Sequence, residues 1–295
     1  MNYGAILTDT WKIIWKHKAI PGFGLLAMLV PVLLTLLGFG FFSFSGADQP
    51  ERYITFLEDY PYIWLMIILV VTLISFLATS IGYAGILKGT AQAEEGVETL
   101  SFAALWEAAW PYAGRVAGLL LLISFSFSLV FMIPALLGVL TAGLAFLCLF
   151  PLIILMIPLS LLLQAFLGLA LAAAVADEAG VFAAIQRGWK ALAASFWPVA
   201  LMSVILYGIQ MAASFVLSFP TYFLQFALVP VMINSEPDFE AVFRTFGIIM
   251  LILLPLMMVA QGLLMTYLQS AWTLVYLRLT RPPAPASALP AVPAE

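Results

Sequence analysis

Trp11-Lys12-Ile13-Ile14-Trp15-Lys16-His17-Lys18 mixes indole rings and basic groups with aliphatic residues, and residues 20–42 after it carry no charge at all. Two further runs open alike, Trp106-Glu107-Ala108-Ala109-Trp110 and Trp189-Lys190-Ala191-Leu192-Ala193. Each is followed within about ten residues by an apolar stretch long enough to cross a bilayer, which takes about 20 residues of helix. A pattern that recurs at a wide interval marks a structural unit. Here the unit is a short amphipathic helix followed by two membrane-length segments. The expected fold is an all-α membrane protein with six transmembrane helices in three parallel repeats, each an in-plane amphipathic helix plus two spans.

Composition leaves little room for another class. Of 295 residues, 64% are hydrophobic and 9% charged. A soluble domain carries about 25% charged residues, so this chain cannot cover itself with a polar surface in water. Its net charge of −4 gives no case for nucleic acid, which needs a clustered basic face. One Cys (Cys148) and one His (His17) make neither a disulfide framework nor a zinc constellation. Cys148 lies in an apolar run and reads as a small hydrophobe. His17, between Lys16 and Lys18, reads as an interfacial residue. The first apolar stretch is too long for the core of a cleavable signal peptide and reads as a retained span.

The spans fall at about 20–42, 62–87, 112–140, 144–174, 196–220 and 246–277, each near or above the length a bilayer requires. Pro134, Pro151, Pro158 and Pro255 lie inside them and read as kinks, since each removes a backbone donor. Lys12, Lys16, Lys18, Lys88, Arg115, Arg187, Lys190, Arg278 and Arg281 fall on one side of this topology, and Arg52 and Arg244 on the other. The positive-inside rule then makes both termini cytoplasmic, and the expected location is a bacterial inner membrane. On the outer side, Ser235, Pro237, Asp238 and Glu240 form a helix-start signal. Two spans per unit return the chain to its starting side, so the repeats, at about 1–95, 96–178 and 179–281, run parallel within one integral membrane domain, 1–281. Residues 282–295, rich in Pro and Ala, are expected to be a disordered cytoplasmic tail.

Helical spacing gives each short segment an apolar row. Tyr3, Leu7, Trp11, Ile14, Trp15 and Lys18 form the first, opposite Asp9, Lys12 and Lys16. Phe102, Leu105, Trp106 and Ala109 form the second, and Phe182, Ile185, Trp189, Leu192 and Phe196 the third, opposite Gln186, Arg187 and Lys190. Segments this short and polar lie in the interface, rings at headgroup depth and cations near phosphate. The candidate lipid contacts are therefore Trp11, Lys12, Trp15, Lys16, Lys18, Trp106, Trp110, Arg187, Trp189 and Lys190.

No catalytic motif is found: no phosphate loop, no His-Glu-x-x-His, no Gly-x-Ser-x-Gly. The acidic pairs Glu94-Glu95 and Asp177-Glu178 read as solvated caps. Away from their ends the spans hold no Asp, Glu, Lys or Arg, which lowers the case for a proton- or ion-coupled carrier. Their deepest polar side chains are Gln164, Gln210 and Gln261, read as interhelical glue or as the lining of a polar route. Gly82 with Gly85, and Gly114 with Gly118, are candidates for close helix approach. Neither enzyme activity nor a cofactor is expected.

The join Asp177-Glu178-Ala179-Gly180-Val181, with Ala184-Ile185-Gln186-Arg187-Gly188-Trp189-Lys190 after it and the opening segment from Trp11 to Gly24, resembles bacterial multi-pass proteins of the glycerophosphoryl diester phosphodiesterase membrane-domain type and related six-span families. The resemblance implies a six-helix membrane protein. The phosphodiesterase barrel fused to some members has no room in this chain, so no catalytic residue is carried over. The function expected is a non-catalytic membrane protein that organises lipid, or a membrane partner, through its interfacial helices. The alternative is a transporter or lipid translocator with a polar route between spans four, five and six.

Overall fold

In a bilayer, backbone N–H and C=O groups must bond within their own segment, which leaves helices for apolar stretches of this length. The structure, a computed structural model, describes residues 1–45, 59–141, 144–234 and 239–281, and these are helical almost throughout. In order they form α1 (Tyr3–Lys16), α2 (Ala19–Ser45), α3 (Pro61–Glu94), α4 (Phe102–Leu140), α5 (Leu144–Ala176), α6 (Val181–Ala194), α7 (Phe196–Asn234) and α8 (Phe239–Thr280). Six of them, α2, α3, α4, α5, α7 and α8, are long and apolar enough to cross a membrane. The expected spans fall within these six helices. Helix α4 runs on through Pro134, α5 through Pro151 and Pro158, and α8 through Pro255, as α7 does through Pro220. Residues 235–238 and the tail 282–295 lie outside the described residues, as do the side chains of Cys148 and Glu240.

Local chemistry sets the ends of the short helices. The Asn2 side chain accepts from the Ala5 N–H at 3.1 Å and starts α1. The chain then turns at His17, whose N–H donates to Ile13. Ser195 separates α6 from α7 in the same manner. The second short segment is different, and here the expectation is corrected. Residues 102–110 are not a separate in-plane helix but the first turns of α4. The reason is in the packing. Leu105, Ala109, Tyr112, Val116, Leu119 and Ile123 are all buried. Their alternating steps of four and three residues make one row that passes from the short segment into the span without a break.

The six long helices pack in chain order, α2 on α3, α3 on α4, α4 on α5, α5 on α7 and α7 on α8, and α8 closes on α2. Inside this ring α3, α5 and α8 also touch one another pairwise. Helix α1 lies chiefly on α8 and α6 chiefly on α5. An even number of crossings brings both ends of the ring to one face, here termed the proximal end. Buried side chains gather there, in α1, in 80–91, 105–123, 165–175 and 184–206, and in 265–277 of α8. Further along the same helices Leu65, Leu69, Phe125, Phe215, Phe223 and Leu256 are each more than 60% exposed, the pattern of surfaces that face lipid tails rather than other helices.

Close approach replaces the hydrophobic effect as the cohesive force between helices in lipid. A Cβ on Gly24 would lie 2.4 Å from the Gly262 carbonyl oxygen, so α2 and α8 cross with almost nothing between their backbones. A Cβ on Gly188 would lie 2.9 Å from the Cα and N of Ala170, which fixes how closely α6 rests on α5. Gly82 and Gly85 do face α2, at Ala27 and Phe23, but a Cβ on Gly114 would meet nothing within 4 Å. Polar bonds add to the fit: Thr90 Oγ1 to Ser270 Oγ at 2.8 Å between α3 and α8, and Ser203 Oγ donating to the Leu161 carbonyl at 2.7 Å between α7 and α5.

Candidate functional site

The candidate functional side chains sit at the proximal end, in an aromatic rim and an ionic ring. The rim comes from helices with one face already committed to the bundle. In α1 the buried row is Ile6, Thr10 and Ile14, continued by His17, and Trp11 and Trp15 stay 56% and 52% exposed, their rings edge to face at 5.5 Å. In α6 the buried row is Ala184, Gly188 and Leu192, with Phe182 and Trp189 78% and 61% exposed. The sequence rows centred on tryptophan are therefore divided: Ile14 and Leu192 turn to the bundle, while Trp11, Trp15, Phe182 and Trp189 stay outside. Small and aliphatic side chains meet the protein, because they allow the backbones to approach, and the rings flank that contact. Trp110 is exposed, but Trp106 is drawn inward and stacks on Phe23 and Phe102, both at 6.3 Å. Lys12, Lys16, Lys18 and Lys190 are exposed. Arg187 is exposed too, but it is ion-paired to Asp177 at 3.1 Å.

His17 corrects a second expectation. It is buried rather than at the surface, at the point where α1 turns into α2. Burial, with the Lys16 ammonium beside it, holds the imidazole below its usual range, so the neutral form is favoured.

The ionic ring was not read from the sequence. Helices α3 and α5 end on acidic pairs, Glu94-Glu95 and Asp177-Glu178, whereas α8 ends on Arg278 and Arg281. Arg278 bonds Asp9 at 2.8 Å and Glu94 at 3.1 Å. Arg281 bonds Glu95 at 3.2 Å and Asp177 at 3.3 Å, and donates to the Ala176 carbonyl. Asp177 also accepts from the Tyr276 hydroxyl at 2.6 Å. The pairs expected to be solvated caps thus tie the ends of α1, α3, α5 and α8 together. Opposite charges at equivalent helix ends were the signal that could have found this.

Glu178 holds the left-handed region, at φ 54°, where a residue with a Cβ is uncommon. Bonds on both its backbone and its side chain keep it there. The Arg115 guanidinium donates to its carbonyl at 2.7 Å, the Tyr112 hydroxyl donates to its carboxylate, and the Lys88 ammonium lies 3.8 Å away. The Tyr112 hydrogen bond first, then the positive charge of Lys88, holds the carboxyl below the usual range.

Of the three deep amides, the structure brings two together: Gln164 Nε2 donates to Gln210 Oε1 at 2.9 Å between α5 and α7. Gln261 takes no part in that bond, and its neighbour Gly262 faces Gly24 on α2. Among the described residues no group of three or more metal-ligating side chains occurs. No family model, curated protein or solved structure matches this chain.

Proposed function

We propose that this chain is a non-catalytic integral membrane protein that organises lipid, or a membrane partner, through the aromatic rim of its proximal end. The observation that carries this is the division of labour within α1 and α6. One face of each helix is buried on the bundle, and Trp11, Trp15, Phe182 and Trp189 on the next face remain more than half exposed. Indole rings are favoured at headgroup depth, and a fold that needed them only for its own stability would bury them.

Three parallel repeats account for the packing. On this reading α3, α5 and α8 are the second spans of the units and form the centre, while the first spans α2, α4 and α7 alternate around them. Around the closed ring each short segment rests on the second span of a neighbouring unit: α1 on α8, the start of α4 on α3, and α6 on α5. The charges follow, with signs exchanged, since Asp9 of α1 meets Arg278 of α8 and Arg187 of α6 meets Asp177 beyond α5. We place the proximal end in the cytoplasm of a bacterium with the protein in its inner membrane, on the excess of basic residues at that end. A reporter fused after Asp48 that lights up in the same compartment as one at the carboxyl end would reject this topology.

The test of function is lipid retention. The full chain in nanodiscs, extracted for native mass spectrometry, is expected to carry bound lipid. That lipid is expected to fall when Trp11, Trp15, Trp110 and Trp189 are replaced by Ala, with Trp106→Ala as the inward-facing control. Unchanged lipid and partner association in every variant would reject the role.

A further inference from the structure

Beside the ionic ring lies a cleft of about 340 Å³ between α6 and the end of α8, lined by Asp177, Arg187, Lys190, Ser195, Tyr276 and Thr280 among others. We propose that this cleft is a binding site for a phosphate group, either the headgroup of an anionic lipid or a free phosphate ester; this rests on, and sharpens, the lipid-organising role above.

Helical geometry creates the cleft. At 100° per residue, Arg187, Lys190, Ala191 and Ala194 form one row of α6, and Phe182 and Trp189 form another. The two rows flank the buried Ala184, Gly188 and Leu192 on opposite sides. The aromatic row is therefore turned away from the cleft, and the basic row is turned into it. Helix α6 thus offers rings on one flank and cations on the other.

Charge selects an anion. Asp177 is the one carboxylate lining the cleft, and it is already engaged three times, by Arg187 at 3.1 Å, by Arg281 at 3.3 Å and by the Tyr276 hydroxyl at 2.6 Å. The carboxyl end of α6 adds about half a negative charge. Against these stand the two positive charges of the lining, Arg187 and Lys190, while Arg281, just outside it, is shared between Asp177 and Glu95. Lys190 has no ion-pair or hydrogen-bond partner among the described residues. To bind, Arg187 would turn its planar fork from the Asp177 carboxylate and carbonyl, leaving Asp177 to Arg281 and Tyr276, toward a phosphate, which it matches in two parallel bonds. Lys190 would supply the second charge. The Ser195 and Thr280 hydroxyls lie on the same lining. At about 30 Å³ per water the cleft holds on the order of ten waters, enough for a tetrahedral anion and the start of its ester arm.

The test uses the full chain with Lys190→Gln, an exposed position whose change leaves the core intact, and Arg244→Gln as a control cation outside the cleft, exposed near the start of α8. In one arm the protein is held in nanodiscs of phosphatidylcholine with a fixed fraction of phosphatidylglycerol, and retained lipid is counted by native mass spectrometry. In the other arm it is held in phosphatidylcholine alone and titrated with inorganic phosphate and glycerol 3-phosphate by calorimetry. Lys190→Gln is expected to lower occupancy about fivefold, the effect of one basic group near an anionic headgroup, and Arg244→Gln to leave it unchanged. Loss in the first arm identifies a lipid headgroup, and loss in the second a free phosphate; either supports the site. If Lys190→Gln and Arg244→Gln behave alike in both arms, the site is overturned. The tryptophan variants separate the two ideas. If they shed lipid while Lys190→Gln does not, the rim stands and the cleft falls; if neither set changes anything, both fall.

Discussion

Replacing Gly24 by Ala should loosen the contact that joins the first span to the last. The new methyl would sit 2.4 Å from the Gly262 carbonyl oxygen and 2.1 Å from Thr266 Oγ1, where ordinary contact begins at 3.4 Å. The Thr266 hydroxyl could turn aside, at the cost of its 2.8 Å bond to that same carbonyl. The carbonyl is backbone and cannot, so α2 and α8 must separate by about 1 Å, a gap that forfeits a quarter to a half of the dispersion energy of the atoms facing it. Overpacking of this kind costs about 1–3 kcal/mol. Alanine recovers about 0.8–1 kcal/mol of helix propensity over glycine. The net expectation is a loss of about 1 kcal/mol, rising to about 2 if neighbouring side chains cannot adjust. Gly114→Ala is the matched control, since its methyl meets open space; it should be neutral or stabilising by up to about 1 kcal/mol. Equilibrium unfolding in mixed micelles of rising dodecyl sulfate fraction, followed by circular dichroism, reads both. If Gly24→Ala proves no less stable than Gly114→Ala, the two backbones do not cross here and the closed ring of helices is wrong.

Arg278→Gln removes the bonds to Asp9 and Glu94, and should weaken the docking of α1 by about 1 kcal/mol, the upper range for a partly exposed pair; amide exchange over 3–16 should then quicken, and an unchanged rate would show that α1 is held by packing alone. Substituting Gln164 and Gln210 by Leu, singly and together, should give a coupling of about 0.6 kcal/mol in a double-mutant cycle, and strict additivity would mean the amides do not bond. Acid should loosen the proximal end in two stages. His17 has a lowered folded pKa, so its contribution is complete above its ordinary value of 6.5 and is lost as pH falls from there through the lowered value. Glu178, also lowered, keeps its bonds to Tyr112 and Lys88 above the usual carboxylate range and loses them below it. A melting temperature that stays flat from pH 7 down to about pH 4 would contradict the His17 shift, and one that stays flat on further acidification would contradict that of Glu178; His17→Gln should abolish the first stage alone.

The sequence by itself determined the class and the crossings. Apolar length decides what can span a bilayer, and it needs no knowledge of neighbours: α2, α3, α4, α5, α7 and α8 each contain the span read from composition. It also placed the exposed tryptophans of α1 and α6 in short segments outside the spans. What it could not decide was which way those segments face. Helical period assigns residues to a face, but in lipid the face turned to the protein is the one that permits close backbone approach, and that depends on the opposing helix. Gly188 is buried because Ala170 lies beneath it, and Trp189 beside it is left outside. Only tertiary structure could merge the second short segment with α4, since its buried row gains meaning from what α4 packs against. The same holds for the proximal charges. Asp9, Glu94, Asp177 and Arg278 are far apart along the chain, and local spacing gives no sign that they meet. Chain closure, which sets α8 between the ends of α1, α3 and α5, turned apparent caps into a ring of ion pairs.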